Sequence, residues 1–397
     1  MITFDRIRFV VPALLMSAVA MMLASMDMYL PCAPYLVRHF DTTEHVMQVS
    51  LMISPFISSF VGIFYGYFGD KHGRRKAILI TIFFFSLGSM MCALSTNIHM
   101  FLFSRFIQAI GGGGISVVAL VILSDLFSGV EYAKYVATYG IVFPTSYALA
   151  PIIGARFFRA WGWPSIFWFL GTVPIIIGVA LYFILPETHL MAKKKLDRSN
   201  LGGKLKQFIS SRRFMTMTLG HSLPVILLAL YITNSSFIFI DHFHLSPVEY
   251  SHLQLVPMGI NILSTLTYRS VLSKFGMDAT LKVVFTTTSL FAATAFLSLL
   301  FNQTSEDFII LSMVFLNAGL CYSSATCATC AYETFIEDKA LAVAFVSFIR
   351  NGLLSIIVTG TSFFYNGTIV PVFTCMIILS LATLPFLRGK TSYSPSA

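Results

Sequence analysis

Charge is what this sequence has least of. Asp, Glu, Lys and Arg make up 11% of its 397 residues, against roughly 25% in soluble domains, so a water-soluble globular fold is excluded. Apolar–polar alternation is missing as well. Barrel strands in a membrane alternate over about ten positions, whereas the apolar runs here are apolar all round, which leaves helices. Cysteine is sparse. Cys32, Cys92, Cys321, Cys327, Cys330 and Cys375 all lie in apolar stretches, and the one C-x-x-C, Cys327 to Cys330, has no histidine or second pair nearby. These read as packing residues rather than metal or redox ligands. There is no Gly-x-x-x-x-Gly-Lys-Ser/Thr loop, so nothing points to nucleotide-driven work. No nucleophile–base constellation suggests an enzyme, and no cofactor is expected.

What is present is hydrocarbon. The chain is 56% hydrophobic with 39 Phe and a mean hydropathy of +0.81. Apolar runs of about 20 residues, each long enough to span a bilayer, recur along its length. They predict an all-α membrane protein of twelve spans, at about 9–31, 48–68, 77–95, 98–122, 135–157, 164–185, 215–240, 250–271, 280–300, 308–330, 340–363 and 367–387. The polar stretch 186–214, with Lys193-Lys194-Lys195, divides them six and six, giving expected units 1–185 and 215–397 joined by a solvated linker that anchors to anionic lipid. The first run is too long for a cleavable leader. The net charge of +9 is not a nucleic-acid signal. Lys and Arg concentrate in alternate connecting segments, as the positive-inside rule demands, which puts both termini in the cytoplasm.

Against that background a few polar residues stand out. Asp27, in Met26-Asp27-Met28-Tyr29-Leu30-Pro31, is a carboxylate inside the first run. Such a group costs roughly 3 kcal/mol at the centre of a membrane helix and is a functional-site hypothesis by default. Pro31 and Pro34 should loosen the helix beyond it. Arg105, in span four, lies at a similar depth, so Asp27 is its expected partner. This pair either holds helices together or exchanges a proton while a substrate passes. Gln108 falls three positions on, on the same face as Arg105, to hold the guanidinium or touch substrate. Gly111 to Gly114 cost roughly 3–4 kcal/mol of helix propensity in water and suggest close approach of a neighbouring helix.

The 2–3 segment reads Gly66-Tyr67-Phe68-Gly69-Asp70-Lys71-His72-Gly73-Arg74-Arg75-Lys76, and a fainter copy, Arg269 to Gly276, lies between spans eight and nine. Two related bundles around a cavity follow from that arrangement. Tyr29, Phe143, Tyr147, Tyr231, Phe237 and Tyr322 are aromatic candidates for lining it, suited to flat or cationic ligands. Asp241, His242 and His244, at the outer end of span seven, have a spacing that suits a metal but are expected to be solvated; no metal site is expected. Glu333, Glu337 and Asp338 sit at the ends of spans ten and eleven, where acids favour a helix start.

These motifs resemble the major facilitator superfamily over the whole chain. Gly66-x-x-Gly69-Asp70-Lys71-x-Gly73-Arg74-Arg75 is similar to its loop 2–3 signature, Arg105 to Gly112 to its span-four signature, and Ala150-Pro151-Ile152-Ile153-Gly154-Ala155 to its antiporter signature, with Ala in place of Gly at both ends. Asp27-Met28-Tyr29-Leu30-Pro31-x-x-Pro34 resembles the bicyclomycin-resistance (Bcr/CflA) branch of drug/proton antiporters, and Tyr332-Glu333-Thr334-Phe335 more weakly so. The chain departs from that pattern at Pro164 after Trp163, where the branch carries Arg, and at Arg350, where a neutral polar residue is expected.

The resemblance implies twelve helices in two pseudo-symmetric six-helix bundles and a monomer in a bacterial inner membrane. It implies proton-coupled export of small amphipathic compounds, drugs or a native metabolite such as a siderophore, with Asp27 and Arg105 as the coupling pair. Gly66, Asp70, Gly73 and Arg74 would form a conformational latch, with Asp70 held by Arg74 and docked against the start of span eleven, while Pro151 and Gly154 would thin span five where the halves meet. An uptake symporter on the same fold is the alternative; a non-transporting membrane sensor is a third.

Overall fold

Hydrocarbon offers backbone groups no hydrogen bonds, so each apolar run must close its own as a helix. The computed structural model describes residues 4–188, 201–300, 306–335, 339–365 and 367–387. The described residues form helices α1 (Phe4–Asp27), α2 (Ala33–His39), α3 (Glu44–His72), α4 (Arg74–Ala93), α5 (Ile98–Leu126), α6 (Gly129–Trp161) and α7 (Pro164–Ile184). There follow α8 (Leu201–Ser210), α9 (Arg212–Ser236), α10 (Pro247–Leu253), α11 (Leu255–Leu300), α12 (Glu306–Thr334), α13 (Lys339–Ser362) and α14 (Ile369–Leu387). Among the described residues, ten helices are long and apolar enough to cross a membrane, and Ile369–Thr383 is a shorter apolar one.

Local chemistry sets the boundaries. Thr43, Asn97 and Ser211 each turn a side-chain oxygen onto the backbone N–H three residues on, at 3.4, 2.9 and 3.3 Å, capping α3, α5 and α9. Gly73 (φ 99°) separates α3 from α4, and Gly276 (φ 74°) breaks α11 at the corresponding joint of the second half. Both occupy the left-handed region that glycine enters without steric cost.

One expectation is extended and one corrected. The first apolar span runs Phe9–His39, past residue 31, and is interrupted within it where the prolines were expected to loosen it: α1 ends at Asp27, a 3-10 turn of Leu30–Cys32 follows, and α2 resumes at Ala33. Pro31 and Pro34 fall at the starts of those two elements, where a missing N–H costs nothing. The linker is not solvated throughout either. Its part from Leu201 is α8, and Phe208 is fully buried, with its ring 5.1, 4.6 and 5.7 Å from those of Phe214, Phe335 and Phe345. Lys193 to Lys195 lie outside the described residues.

The chain divides into two compact units, Met1–Lys195 with Ser246–Ser251, and Leu196–Leu245 with His252–Ala397. The core of the first runs through Val19, Phe85, Ile115 and Ile122; that of the second through Phe214, Val284, Phe345 and Val346.

Candidate functional site

The glycines of α5 position the site in the first unit. A Cβ on Gly111 would collide with the backbone of Phe85 and Thr81, and one on Gly88 with the backbone of Gln108. The two helices therefore touch backbone to backbone, as small residues allow in membranes. That crossing delivers Gln108 to Ser89, where its Nε2 donates to Oγ at 2.7 Å, and leaves its Oε1 facing Arg105.

Arg105 is fully buried, and its hydrogen bonds all go to neutral acceptors. Nε donates to the Ser50 carbonyl at 3.3 Å, Nη1 to the Ser25 carbonyl at 3.4 Å and to Gln108 Oε1, and Nη2 to Ser54 Oγ at 3.4 Å. Its carbon centre lies 4.8 Å from the centroid of the Tyr29 ring, a cation–π contact that desolvation strengthens. Tyr29 is held in turn by Ser50 Oγ at 3.0 Å and by Phe101 and Phe167. Tyr29, predicted to line the cavity, is fully buried and is a platform for the guanidinium.

Asp27 is not the partner of Arg105. It is 3% exposed, its Oδ2 has no hydrogen-bond partner, and among the described residues no ion pair joins the two. The depth argument was sound, since the backbone carbonyl of Ser25 in α1 accepts from Arg105 Nη1. What reaches the guanidinium from α1 is main chain, not the Asp27 carboxylate. Gly154 of α6 lies against the residue that follows α1: a Cβ there would overlap the Met28 carbonyl. Pro151, in the same helix, is buried, and its carbonyl accepts from Ser251 Oγ at 3.1 Å. Asp27 thus sits at a break in its helix, beside a close helix contact, with half its carboxyl group unsatisfied.

The loop 2–3 residues gather at one end of the unit. Arg74 Nη2 pairs with Asp70 at 2.5 Å, and its Nε with Asp125 at 3.2 Å. Nη1 donates to the Gly66 carbonyl at 3.3 Å. Two acids that the sequence reading left without a role complete the cluster. Asp125 also accepts from Thr188 Oγ1 at 3.4 Å, and Glu187 Oε1 takes the Arg74 backbone N–H at 2.7 Å, so it caps α4. Only their positions, at the end of span four and just after span six, could have pointed to them.

The other candidates scatter. In the second unit, Tyr231 is buried with its hydroxyl accepting from Gln254 Nε2 at 2.9 Å. Phe237 is buried in the π turn Phe237–His242 that follows α9. Tyr322 shares a hydrogen bond of 3.0 Å with Thr267. Tyr147 is half-buried, and the side chain of Phe143 lies outside those described. Cys327 and Cys330 are buried free thiols, with Cys330 Sγ 3.2 Å from Met277 Sδ. Among the described residues no group of three or more His, Cys, Asp or Glu could hold a metal; His242 is exposed. Glu337 and Asp338 lie outside the described residues. Sequence reasoning passed over His221, buried in α9 with Nδ1 3.1 Å from both the carbonyl and the hydroxyl of Ser324. A lone histidine in an apolar run was the available signal.

Comparison with known proteins gives the arrangement a family. Residues 15–387 match the Major Facilitator Superfamily model, and the chain belongs to that superfamily. It is 27% identical over 261 residues to the "uncharacterized MFS-type transporter YdgK" of Bacillus subtilis, a match covering 64% of this chain and 62% of that protein. It is 25% identical over 256 residues to the "multidrug resistance protein MdtL" of Salmonella paratyphi A, covering 64% of each. The chain thus matches less than two thirds of the length of these relatives. Among solved structures, the partially occluded inward-open xylose transporter XylE of E. coli aligns with a TM-score of 0.73, 13% identity and 96% of both chains. A bacterial homologue of the human lysosomal transporter Spinster aligns at 0.71, with 14% identity over 97% of this chain and 95% of that one. At such identities the likeness is one of fold.

Proposed function

We propose that this superfamily member is a proton-coupled secondary transporter that exports a small amphipathic compound by alternating access, in the manner of the Bcr/CflA branch. One observation carries the reading: a carboxyl group inside a membrane span, at a helix break, whose Oδ2 has no hydrogen-bond partner. A buried polar atom left unsatisfied calls for an explanation, and a partnerless charge in hydrocarbon is costly enough that the group favours its neutral form. Asp27 therefore takes a proton when its surroundings are dry and gives it up when water or substrate supports the charge. Alternating exposure of that one group to the two sides of the membrane couples proton entry to substrate exit. Arg105 does not share the proton; it fixes the frame of α1, α3 and α5 against which Asp27 moves.

Export rather than uptake rests on Pro151-x-x-Gly154, and on the multidrug relative. The inner bacterial membrane, cytoplasmic termini and a monomeric state belong to the same proposal. So does the cytoplasmic loop 2–3 latch of Gly66, Asp70, Gly73 and Arg74, in which Asp70, paired with Arg74, docks against the start of span eleven.

The test is Asp27→Asn in everted vesicles with an imposed pH gradient. The amide keeps the shape and removes the titration, so proton-driven transport should fall to background while protein level and thermal stability hold. Full gradient-driven transport by this variant would refute the assignment. Reversal of the gradient distinguishes antiport from the symport alternative.

A further inference from the structure

The second unit holds a cation that the proposed cycle does not use. Arg350 lies 11 residues from the start of α13 and 12 from its end, so about 16–18 Å from either end at 1.5 Å per residue, near the midplane where carriers bind substrate. Its one hydrogen bond among the described residues goes from Nε to Oδ1 of the adjacent Asn351, at 3.1 Å. That leaves the two terminal nitrogens, with four N–H donors in a planar fork, without an acceptor among the described residues. α13 packs against α9 and α12 of the same unit, and the Arg350 charge bears on His221 of α9 and Tyr332 of α12.

The surroundings give it no counter-charge. Glu333, next to Tyr332, is exposed and forms no ion pair with it, and among the described residues no acid reaches Arg350. A mid-membrane arginine with an open fork and no acid is the reverse of what stability alone selects, since intramembrane charges are normally paired. A planar fork of N–H donors matches an oxyanion bidentately.

We infer that Arg350 is the binding site for an oxyanion group, carboxylate or phosphate, at one end of the transported compound. The inference rests on the transporter reading and narrows it: the cargo is an amphipathic acid or zwitterion rather than any flat cation. Arg350 is a specificity residue.

Binding to the purified full-length protein in a neutral maltoside detergent tests it, using naphthylacetate and naphthyl phosphate beside their uncharged counterparts naphthylacetamide and naphthol. Ligand-induced shifts in thermal unfolding report affinity. The wild type should bind at least one acid tenfold or more tighter than its neutral counterpart. Arg350→Gln should bring the two level by weakening the acid alone, and Arg350→Lys, which keeps the charge without the fork, should fall between. Equal affinity for acid and neutral probes in the wild type, or an equal loss of both in Arg350→Gln, would overturn the proposal. If Arg350→Gln does not fold, the acid-to-neutral ratios of the wild type and Arg350→Lys decide, and an unchanged ratio counts against it. No gradient is present, so a failure of proton coupling at Asp27 would leave this result untouched. Preference for phosphate over carboxylate would name the headgroup.

Discussion

Two arginines sit deep in spans of this protein, one in each unit, and they are treated in opposite ways. Arg105 is wrapped: two carbonyls, an amide, a hydroxyl and an aromatic face disperse its charge with no acid at all. Arg350 is half-buried and, among the described residues, bonded once to its own neighbour and otherwise open. A cation enclosed by neutral dipoles cannot be switched by a passing ligand, because nothing is left to offer it. A cation left open can. On the proposed reading the same side chain is therefore scaffold in one unit and recognition element in the other, and the proton is left to Asp27 of the first unit.

The largest effect that would break this contrast is on stability. Arg105→Ala strands the acceptors of Ser25, Ser50, Gln108 and Ser54 in a dry interior, at 1–3 kcal/mol for each buried group left unpaired. A loss of about 3 kcal/mol or more is expected, read as a collapse in detergent melting temperature or in membrane yield. Arg350→Ala removes one bond to a neighbouring residue and should cost less than about 1 kcal/mol. Equal losses would mean that both arginines are structural.

Next comes packing. Gly111→Ala pushes a methyl into the Phe85 backbone, where neither chain can yield cheaply, so about 1–3 kcal/mol of destabilisation is expected. In α13 the corresponding test is Gly360→Ala, whose added Cβ meets nothing within 4 Å. That change should be neutral or slightly stabilising, by up to about 1 kcal/mol. Thermal unfolding of the two variants side by side measures how much tighter the Arg105 region is packed.

Much of this was legible in the sequence. Length and hydropathy of the runs gave most of the long helices to within a few residues, because a bilayer leaves a backbone few alternatives, but not the short α2, α8 and α10. The glycines of α5 correctly announced a close crossing. What sequence could not supply was azimuth. Depth along a helix is a matter of counting, but whether Arg105 meets the Asp27 carboxylate or the Ser25 carbonyl depends on rotation and on a helix break at the acid itself. Hidden, too, were partners far apart in the chain. Arg74 was expected to hold Asp70, and does, yet Asp125 and Glu187 join it from 51 and 113 residues away, a distance no local pattern bridges.

That third arginine sharpens the comparison from the smallest effect. At the end of the unit Arg74 is satisfied by carboxylates, Asp70 and Asp125, where Arg105 in mid-span uses only neutral groups. Burying two ions is expensive unless their remaining valences are met, so full ion pairs belong near a helix end, where neighbouring N–H groups and water assist. Glu187 is such an assistant: its carboxylate takes the first N–H of α4, and its charge favours that positive helix end. Glu187→Gln keeps an acceptor oxygen and drops the charge, for an expected loss of about 0.5 kcal/mol; Glu187→Ala drops both, for about 1 kcal/mol. Hydrogen exchange at the Arg74 amide gives a second reading, since it should quicken in the alanine variant and little in the glutamine one. If neither changes, Glu187 caps nothing, and the cluster at this end is held by the two aspartates alone.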